Sequence, residues 1–157
     1  MVNLKRTNSN DADFIALVAD LDKYLADVDG DEHGYYAQFN GLDSIANVVV
    51  AYEGDEAVGC GAFKRYSDSV VEIKRMYTQP EHRGKKIGAM LLAELESWAN
   101  ELGYVESILE TGQKQKAAVR LYENSGYSVI PNYDQYAGVE NSVCMKKSIA
   151  TRHQLVA

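Results

Sequence analysis

Residues 70–95 pass from a strand pattern to a helix pattern within a few positions, and the change falls at Pro80. The run VVEIKRMYT (70–78) is rich in β-branched and aromatic residues, which predicts a β-strand. Pro80 has no backbone N–H to donate, so strand pairing is expected to end there. The following spacing predicts an amphipathic helix that ends at Gly103. Its apolar residues recur every three or four positions, at Ile87, Leu91, Leu95, Trp98 and Leu102.

Other strand and helix patterns surround this unit without regular alternation. Asn10 or Asp11 is expected to cap a first helix, and residues 35–45 have a second helical pattern. The first helix has apolar residues at Phe14, Leu17, Val18, Leu21 and Leu25. Three strands are predicted over 47–78, with turns at 54–55 and 67–69. After the helix that follows Pro80, the patterns predict a strand (105–111), a helix (115–126) and two strands (127–130 and 140–149). This order predicts an α/β fold, with a mixed, largely antiparallel sheet flanked by helices on both faces.

Composition limits the classes of protein to which the chain can belong. Its 157 residues, 46% of them hydrophobic, predict a single domain over residues 1–147 and a C-terminal tail over 148–157. A net charge of −7 and a pI near 4.9 argue against nucleic-acid binding. No apolar run approaches the ~20 residues of a membrane span, and the N-terminus lacks the pattern of a secretory signal. We therefore expect a cytoplasmic protein that binds neither nucleic acid nor membrane.

Cysteine and histidine, which often form reactive or metal sites, are widely spaced in this chain. Cys60 and Cys144 form no CxxC pair, so we expect buried, reduced thiols. The histidines are scattered along the chain, at His33, His82 and His153. Their spacing is not that of metal ligands, so no metal is predicted.

Positive charge is concentrated in the loop after the strand, although the whole chain is acidic. Arg83, Lys85 and Lys86 lie there, and Gly84 and Gly88 permit a tight backbone. The first N–H groups of a helix have no intrahelical partner and the helix dipole is positive at that end, so this junction can bind a polyphosphate. Neither GxxxxGK with a following Ser or Thr nor GxGxxG occurs, which argues against the two common nucleotide loops. The alternative is a solvated turn before a helix.

The segment EIKRMYTQPEHRGKKIGAMLL (72–92) resembles the acetyl-coenzyme A signature of the GNAT superfamily of N-acetyltransferases, Gln/Arg-x-x-Gly-x-Gly/Ala. Arg83 takes its first position and Gly88 its last, while Lys86 replaces the middle glycine. Such a lysine either turns its side chain away or supplies charge to a phosphate. Downstream, LETGQKQKAAVRLYENSGYSVIPNY (109–133) resembles the final helix of the family, and the resemblance covers residues 48–147 well.

The resemblance implies a GNAT-like fold with acetyl-coenzyme A as co-substrate and no metal. The backbone of Met76, Tyr77 and Thr78 would bind the pantetheine arm as an added strand, and one of its N–H groups would polarise the thioester carbonyl. Gln115 stands where many relatives have an asparagine. The pyrophosphate would lie against the loop and the start of the helix, at Arg83, Gly84, Lys85, Lys86, Ile87, Gly88 and Ala89.

Two residues are candidates for proton transfer. An alkylammonium has a pKa of ~10, so a base must remove its proton at neutral pH, and Glu72 lies where several family members place a catalytic glutamate. Direct transfer and transfer through one water both stay open, as does the alternative that Glu72 pairs with Lys74 or Arg75 on a solvated face. Tyr122 is the candidate acid for the departing thiolate, and its alternative is a packed aromatic ring.

The expected function is transfer of an acetyl group to a primary amine of a small molecule or peptide by direct attack. A covalent intermediate is disfavoured because neither cysteine has a paired histidine. A non-catalytic module that binds coenzyme A and regulates other proteins is the alternative, and a homodimer through an exposed strand or helix stays open. Residues that would line an acceptor cleft are Tyr35, Tyr36, Phe39, Tyr133 and Tyr136, with Asp134 and Glu140 to attract a cation, although packing and surface exposure explain them as well.

Overall fold

The computed structural model of the chain describes residues 1–29, 45 and 47–151. Within them lie three α-helices: α1 (Ala12–Asp29), α2 (Ile87–Glu101) and α3 (Lys116–Asn124). The strands there are β1 (Val2–Thr7), β2 (Asn47–Glu53), β3 (Glu56–Arg65), β4 (Val70–Thr78), β5 (Glu106–Gly112), β6 (Ser128–Ile130) and β7 (Ser142–Ser148). The predicted helix over 35–45, which includes Tyr35, Tyr36 and Phe39, lies outside the described residues except for Ile45. Most of the predicted tail lies outside them as well.

The strands follow the order β1-β2-β3-β4-β5-β7-β6 in the sheet. Strand β4 pairs with β5 in parallel, whereas the pairs β1–β2, β2–β3, β5–β7 and β6–β7 are antiparallel. The predicted mixed, largely antiparallel sheet is confirmed. Strand β1 was not predicted, because its sequence VNLKRT lacks an apolar run. It pairs with β2 from Val2 opposite Glu53 to Thr7 opposite Val48.

The chain divides into two compact units. The first unit contains Met1–Lys64 and Lys74–Leu95, and the second contains Arg65–Ile73 and Glu96–Ala157. The prediction of one domain over residues 1–147 stays a prediction. No helix among the described residues has the length and apolar character needed to span a membrane.

The core of the first unit forms where α1 packs on the sheet. The apolar stripe predicted for α1 is confirmed at its four buried positions. Asp11 is the N-cap of this helix, because its Oδ1 accepts hydrogen bonds from the N–H groups of Asp13 (2.9 Å) and Phe14 (3.1 Å). Burial of these side chains fixes the helix on β2 and β3. The cluster contains Phe14, Leu17, Val18, Leu21, Ile45, Val48, Val50, Cys60, Ala62 and Tyr77.

Two glycines of β3 allow close packing beside the basic loop. A Cβ at Gly59 would lie 3.0 Å from the Tyr77 carbonyl oxygen and 3.2 Å from Cγ2 of Ile87. A Cβ at Gly61 would overlap the Met76 sulfur. These missing side chains let β4 and the first turns of α2 approach β3, which fixes the loop between them.

In the second unit, a buried polar network supports the sheet. The Tyr127 hydroxyl donates to Oε2 of Glu96 (2.9 Å) and lies 2.7 Å from the Ser107 hydroxyl, while Lys147 pairs with Oε1 of Glu96 at 2.8 Å. Helix α2 ends at Glu101, and Gly103 adopts the left-handed conformation predicted for its cap (φ +99°). The expected burial of Leu102 is wrong, since Leu102 follows the last helical residue and is 55% exposed.

Candidate functional site

Strand β4 changes its backbone conformation at Arg75, just before the predicted pantetheine segment. Arg75 has φ +59°, in the left-handed region that residues other than glycine seldom adopt. Such a residue interrupts strand alternation and the ladder of hydrogen bonds, as in a β-bulge. The segment Met76–Thr78 therefore follows a local irregularity in β4, where an extended ligand can pair with backbone groups.

The loop before α2 contains two residues with left-handed backbone, Gly84 at φ +85° and Lys86 at φ +65°. A Cβ on Gly84 would meet no atom within 4 Å, and residues 83–86 are exposed, so the loop borders open space. The Met90 N–H donates to the Lys86 carbonyl at 3.0 Å, which makes Lys86 the residue that precedes the helix. The N–H groups of the first turn, at Ile87, Gly88 and Ala89, follow it. Backbone N–H groups arranged in this way can bind an anion such as a diphosphate.

Two of the three cations of this loop, Arg83 and Lys85, have partners within the chain. Lys85 Nζ lies 3.3 Å from both carboxylate oxygens of Glu53, so a protein carboxylate compensates this charge. Arg83 donates through Nε to the Thr78 carbonyl at 3.0 Å, and its guanidinium lies over the Tyr24 ring. Arg83 therefore connects the loop to the end of β4.

His82 joins the same loop to two carboxylates that could ligate a cation. Potential ligand atoms of Glu56, Glu81 and His82 lie within 4.8 Å of one another. His82 Nδ1 lies 3.1 Å from Oε2 of Glu53 and 3.4 Å from Nζ of Lys85. The ammonium of Lys85 opposes a metal ion at this position, and His82 lies in a polar network with Lys85 and Glu53.

Glu72 is buried, at 3% exposure, and lies opposite Ile108 in the parallel register of β4 and β5. Its Oε2 accepts a 2.7 Å hydrogen bond from the Tyr133 hydroxyl. The alternative that Glu72 lies on a solvated face is wrong, because Glu72 is buried, and Arg75 pairs with Asp22 at 3.0 Å. Glu72 is thus a buried carboxylate held by a phenol.

Tyrosine rings surround this hydrogen bond. The Tyr133 ring makes edge contacts with Tyr66 (5.6 Å between centroids) and Tyr136 (5.7 Å). Burial and the charge of Glu72 raise the pKa of Tyr133, so its hydroxyl stays a donor at neutral pH. A hydrogen bond to Asp134, together with burial, raises the pKa of Tyr66. The structure therefore brings the predicted residues Tyr133, Tyr136 and Asp134 to the Glu72 side of the second unit, and Glu140 is exposed.

Tyr122 lies on α3 and is buried against Tyr127, at 6.0 Å between ring centroids. Burial and the charge of Glu110 raise its pKa, so the phenol stays protonated. Val119 and Leu121, the expected competitors for the core face, are only half-buried. The ring makes the contacts of a packed aromatic, while the neutral hydroxyl keeps a proton to donate.

Gln115 immediately precedes α3, and its backbone N–H donates to the Gly112 carbonyl at 3.0 Å. A Cβ on Gly112 would lie 3.3 Å from Nε2 of Gln115. The side chain therefore folds back toward β5, and its role toward coenzyme A stays a prediction.

Two contacts of this region were not predicted: Tyr133 with Glu72, and Arg75 with Asp22. The sequence indicates Tyr133 only as a lining residue and Arg75 only as a partner of Glu72. Their partners are 61 and 53 positions away in sequence, and no local pattern connects residues so far apart. The apolar residues on either side of Glu72 were the one signal in the sequence that this side chain lies near the core.

Comparison with known proteins matches residues 14–127 to the acetyltransferase (GNAT) family. The chain is 31% identical to an IAA acetyltransferase of Azospirillum brasilense over 143 residues, which cover 86% of this chain and 90% of that protein. It is 30% identical to an aminoalkylphosphonate N-acetyltransferase of Salmonella typhimurium over 130 residues, covering 79% and 83%. A crystal structure from Klebsiella pneumoniae, assigned as an acyl-CoA N-acyltransferase, matches with a TM-score of 0.80 and 33% identity over 95% of this chain and 98% of that one.

Proposed function

The chain belongs to the acetyltransferase (GNAT) family, and from that premise we propose that it moves the acetyl group of acetyl-coenzyme A to a primary amine by direct attack. The acceptor is a small molecule or a peptide. Both curated relatives compared above are acetyltransferases of similar length, and one is named for an aminoalkyl acceptor. We also propose a cytoplasmic location, since the thiols of Cys60 and Cys144 are free and buried.

The coenzyme is proposed to bind in the first unit. The left-handed residues Gly84 and Lys86 and the N–H groups that begin α2 would bind the diphosphate. The backbone of Met76–Thr78 would bind the pantetheine arm, and Arg83 would hold the loop to Thr78. The thioester supplies an activated acetyl group with a thiolate as leaving group.

Buried Glu72 carries the mechanism. The ammonium of the acceptor gives its proton to the Glu72 carboxylate, directly or through one water, and becomes a neutral nucleophile. Its nitrogen then forms the C–N bond with the acetyl carbon, and the C–S bond breaks. Tyr133 keeps the carboxylate in one orientation through its 2.7 Å hydrogen bond. The neutral phenol of Tyr122 donates its proton to the departing thiolate and regains a proton from the attacking nitrogen, which loses its second proton as the amide forms.

Direct attack is preferred over a covalent enzyme intermediate because the thiols are poor nucleophiles. Burial raises the pKa of Cys60 to about 12. Burial also raises the pKa of Cys144 to about 11. Both therefore stay protonated at neutral pH, and only the thiolate is reactive.

A panel of primary amines with acetyl-coenzyme A tests the proposal. Release of free thiol and a mass increase of one acetyl group on the acceptor are expected for at least one amine. Calorimetry could instead show that the coenzyme binds while no amine or peptide of the panel gives a product. That outcome would favour the non-catalytic module.

A further inference from the structure

The guanidinium of Arg75 is buried, and within residues 1–29, 45 and 47–151 two of its donor nitrogens have no partner. Its side chain is 3% exposed, and Nη2 donates to Oδ1 of Asp22 at 3.0 Å. Among the described residues, no acceptor bonds to its Nε or Nη1, although both atoms are buried. Burial without a partner is costly for any donor and more so for a charged one, so these two groups need an acceptor.

The backbone at this position is also unusual, since Arg75 adopts φ +59° in β4. Strain of this kind persists where the surroundings impose it, and it is common at ligand sites. Asp22, the partner of Arg75, has a side chain that is 49% exposed. The ion pair thus extends from the interior of the first unit toward its surface.

We infer that Arg75 binds an oxyanion, a carboxylate or phosphonate, carried by the acceptor amine. The guanidinium offers planar donors that match such a group, and a charged acceptor oxygen satisfies them better than a water does. Asp22 takes a single hydrogen bond from the guanidinium, which leaves Nε and Nη1 to donate to a ligand. The inference rests on the proposed acetyl transfer and assigns its acceptor to the class of amino acids and aminophosphonates.

Matched acceptors and variants test the inference. The kcat/KM values of β-alanine and 2-aminoethylphosphonate are compared with that of propylamine, which lacks the anion. For the wild-type protein we expect the anionic acceptors to be better by roughly 100-fold, a factor that two charge-assisted hydrogen bonds supply. Arg75→Gln should abolish this preference and leave propylamine within about 3-fold. Arg65→Gln, which removes an exposed arginine paired with Asp68, is the control and should change neither ratio.

A second variant separates recognition from a structural ion pair. Asp22→Asn removes the competing carboxylate, so the KM of β-alanine should fall by about 3-fold to 10-fold, the opposite direction to Arg75→Gln. If Arg75→Gln does not fold, Arg75→Lys is used, because it keeps the charge and loses the planar donors. The inference would be overturned if Asp22→Asn raised the KM of β-alanine. It would also be overturned if β-alanine and propylamine had equal kcat/KM values with the wild-type protein.

Binding without turnover keeps this test independent of the proposed reaction. Ethylphosphonate and propionate have the anion and no amine, so thermal shifts with them report the Arg75 site alone. A shift for wild type that is lost in Arg75→Gln supports the site even if no amine is acetylated. Acetylation of amines without any such shift or preference leaves the proposed function standing and refutes the anion site.

Discussion

The Tyr133 hydroxyl donates a 2.7 Å hydrogen bond to Oε2 of Glu72, from the loop between β6 and β7 to strand β4. The bond joins Glu72, the candidate base, to the ring of Tyr133, which packs edge to face on Tyr66 and Tyr136. Because burial and Glu72 raise the pKa of Tyr133, the donor is present throughout the neutral range. The phenol of Tyr133 therefore contributes to the orientation of the carboxylate.

Tyr133→Phe should lower kcat by about 10-fold, since it keeps the ring and removes the hydrogen bond that orients Glu72. The KM for coenzyme should change little, because that ligand is assigned to residues 76–89. Steady-state kinetics with a good amine measures both values. Tyr66→Phe is the matched control, since it also loses one hydroxyl beside the Tyr133 ring. An equal fall in kcat for both variants would refute a specific role of Tyr133.

Glu72→Gln should lower kcat by ~100-fold or more, because the amide cannot accept the proton of the ammonium. Tyr133 can still donate to the amide oxygen, so the local packing is kept. Calorimetry with acetyl-coenzyme A should give the same affinity as for the wild-type protein. Unchanged turnover would remove Glu72 from the mechanism.

Sequence patterns predicted the elements whose residues are buried in regular spacing. Helix α1 and the stripe Ile87, Leu91 and Leu95 of α2 were found because burial imposes a period on the sequence. Strand β1 was missed, since only Val2, Leu4 and Thr7 in it are partly buried and its other residues are exposed. Its position is decided by pairing with β2, which no local pattern encodes.

The candidate site was predictable only where its residues are consecutive. The loop over 83–88 and the strand before it follow one another, so a motif identifies them. The contacts of Glu72 with Tyr133 and of Arg75 with Asp22 come from chain closure over more than fifty positions. The left-handed backbone of Lys86 was not predicted either, because lysine itself does not favour that conformation.

Neutralising Arg83 and Lys85 together, as Arg83→Gln with Lys85→Gln, should weaken acetyl-coenzyme A binding by about 10-fold in calorimetry. The effect is moderate because both side chains are exposed and Lys85 already pairs with Glu53. It should shrink as salt is added, since exposed charges are screened. Lys23→Gln, which removes an exposed cation of α1, should have no effect. Equal affinities at low salt would argue against diphosphate binding at this loop.

Lys86→Gly should raise the free energy of unfolding by about 0.5–1 kcal/mol. Lysine at φ +65° is strained, and the relief outweighs the greater entropy that glycine gives the unfolded chain. Lys85→Gly should lower the same free energy, because Lys85 lies outside the left-handed region and loses its contact with Glu53. Urea unfolding compares the two neighbours directly. Changes of the same sign would contradict the assignment of strain to Lys86.

Asp11→Asn should destabilise the protein by about 1 kcal/mol at pH 7 and by less in acid. Burial opposes ionisation of Asp11, but hydrogen bonds from Lys5, the Phe14 N–H and Thr7 outweigh it and lower its pKa below 3.8. A carboxyl with a lowered pKa in the folded state stabilises that state above its unfolded pKa, and this stability is lost as pH falls through the folded value.

The difference between wild type and Asp11→Asn should therefore be constant from pH 7 to about 5 and narrow below pH 4. Urea unfolding at a series of pH values measures it. Asp68→Asn serves as control, because Asp68 is exposed and caps no helix, so its effect should be small at every pH. A difference for Asp11→Asn that widens in acid would mean that the pKa of Asp11 is raised in the folded state, and that the ion pair with Lys5 at 2.8 Å does not hold its charge.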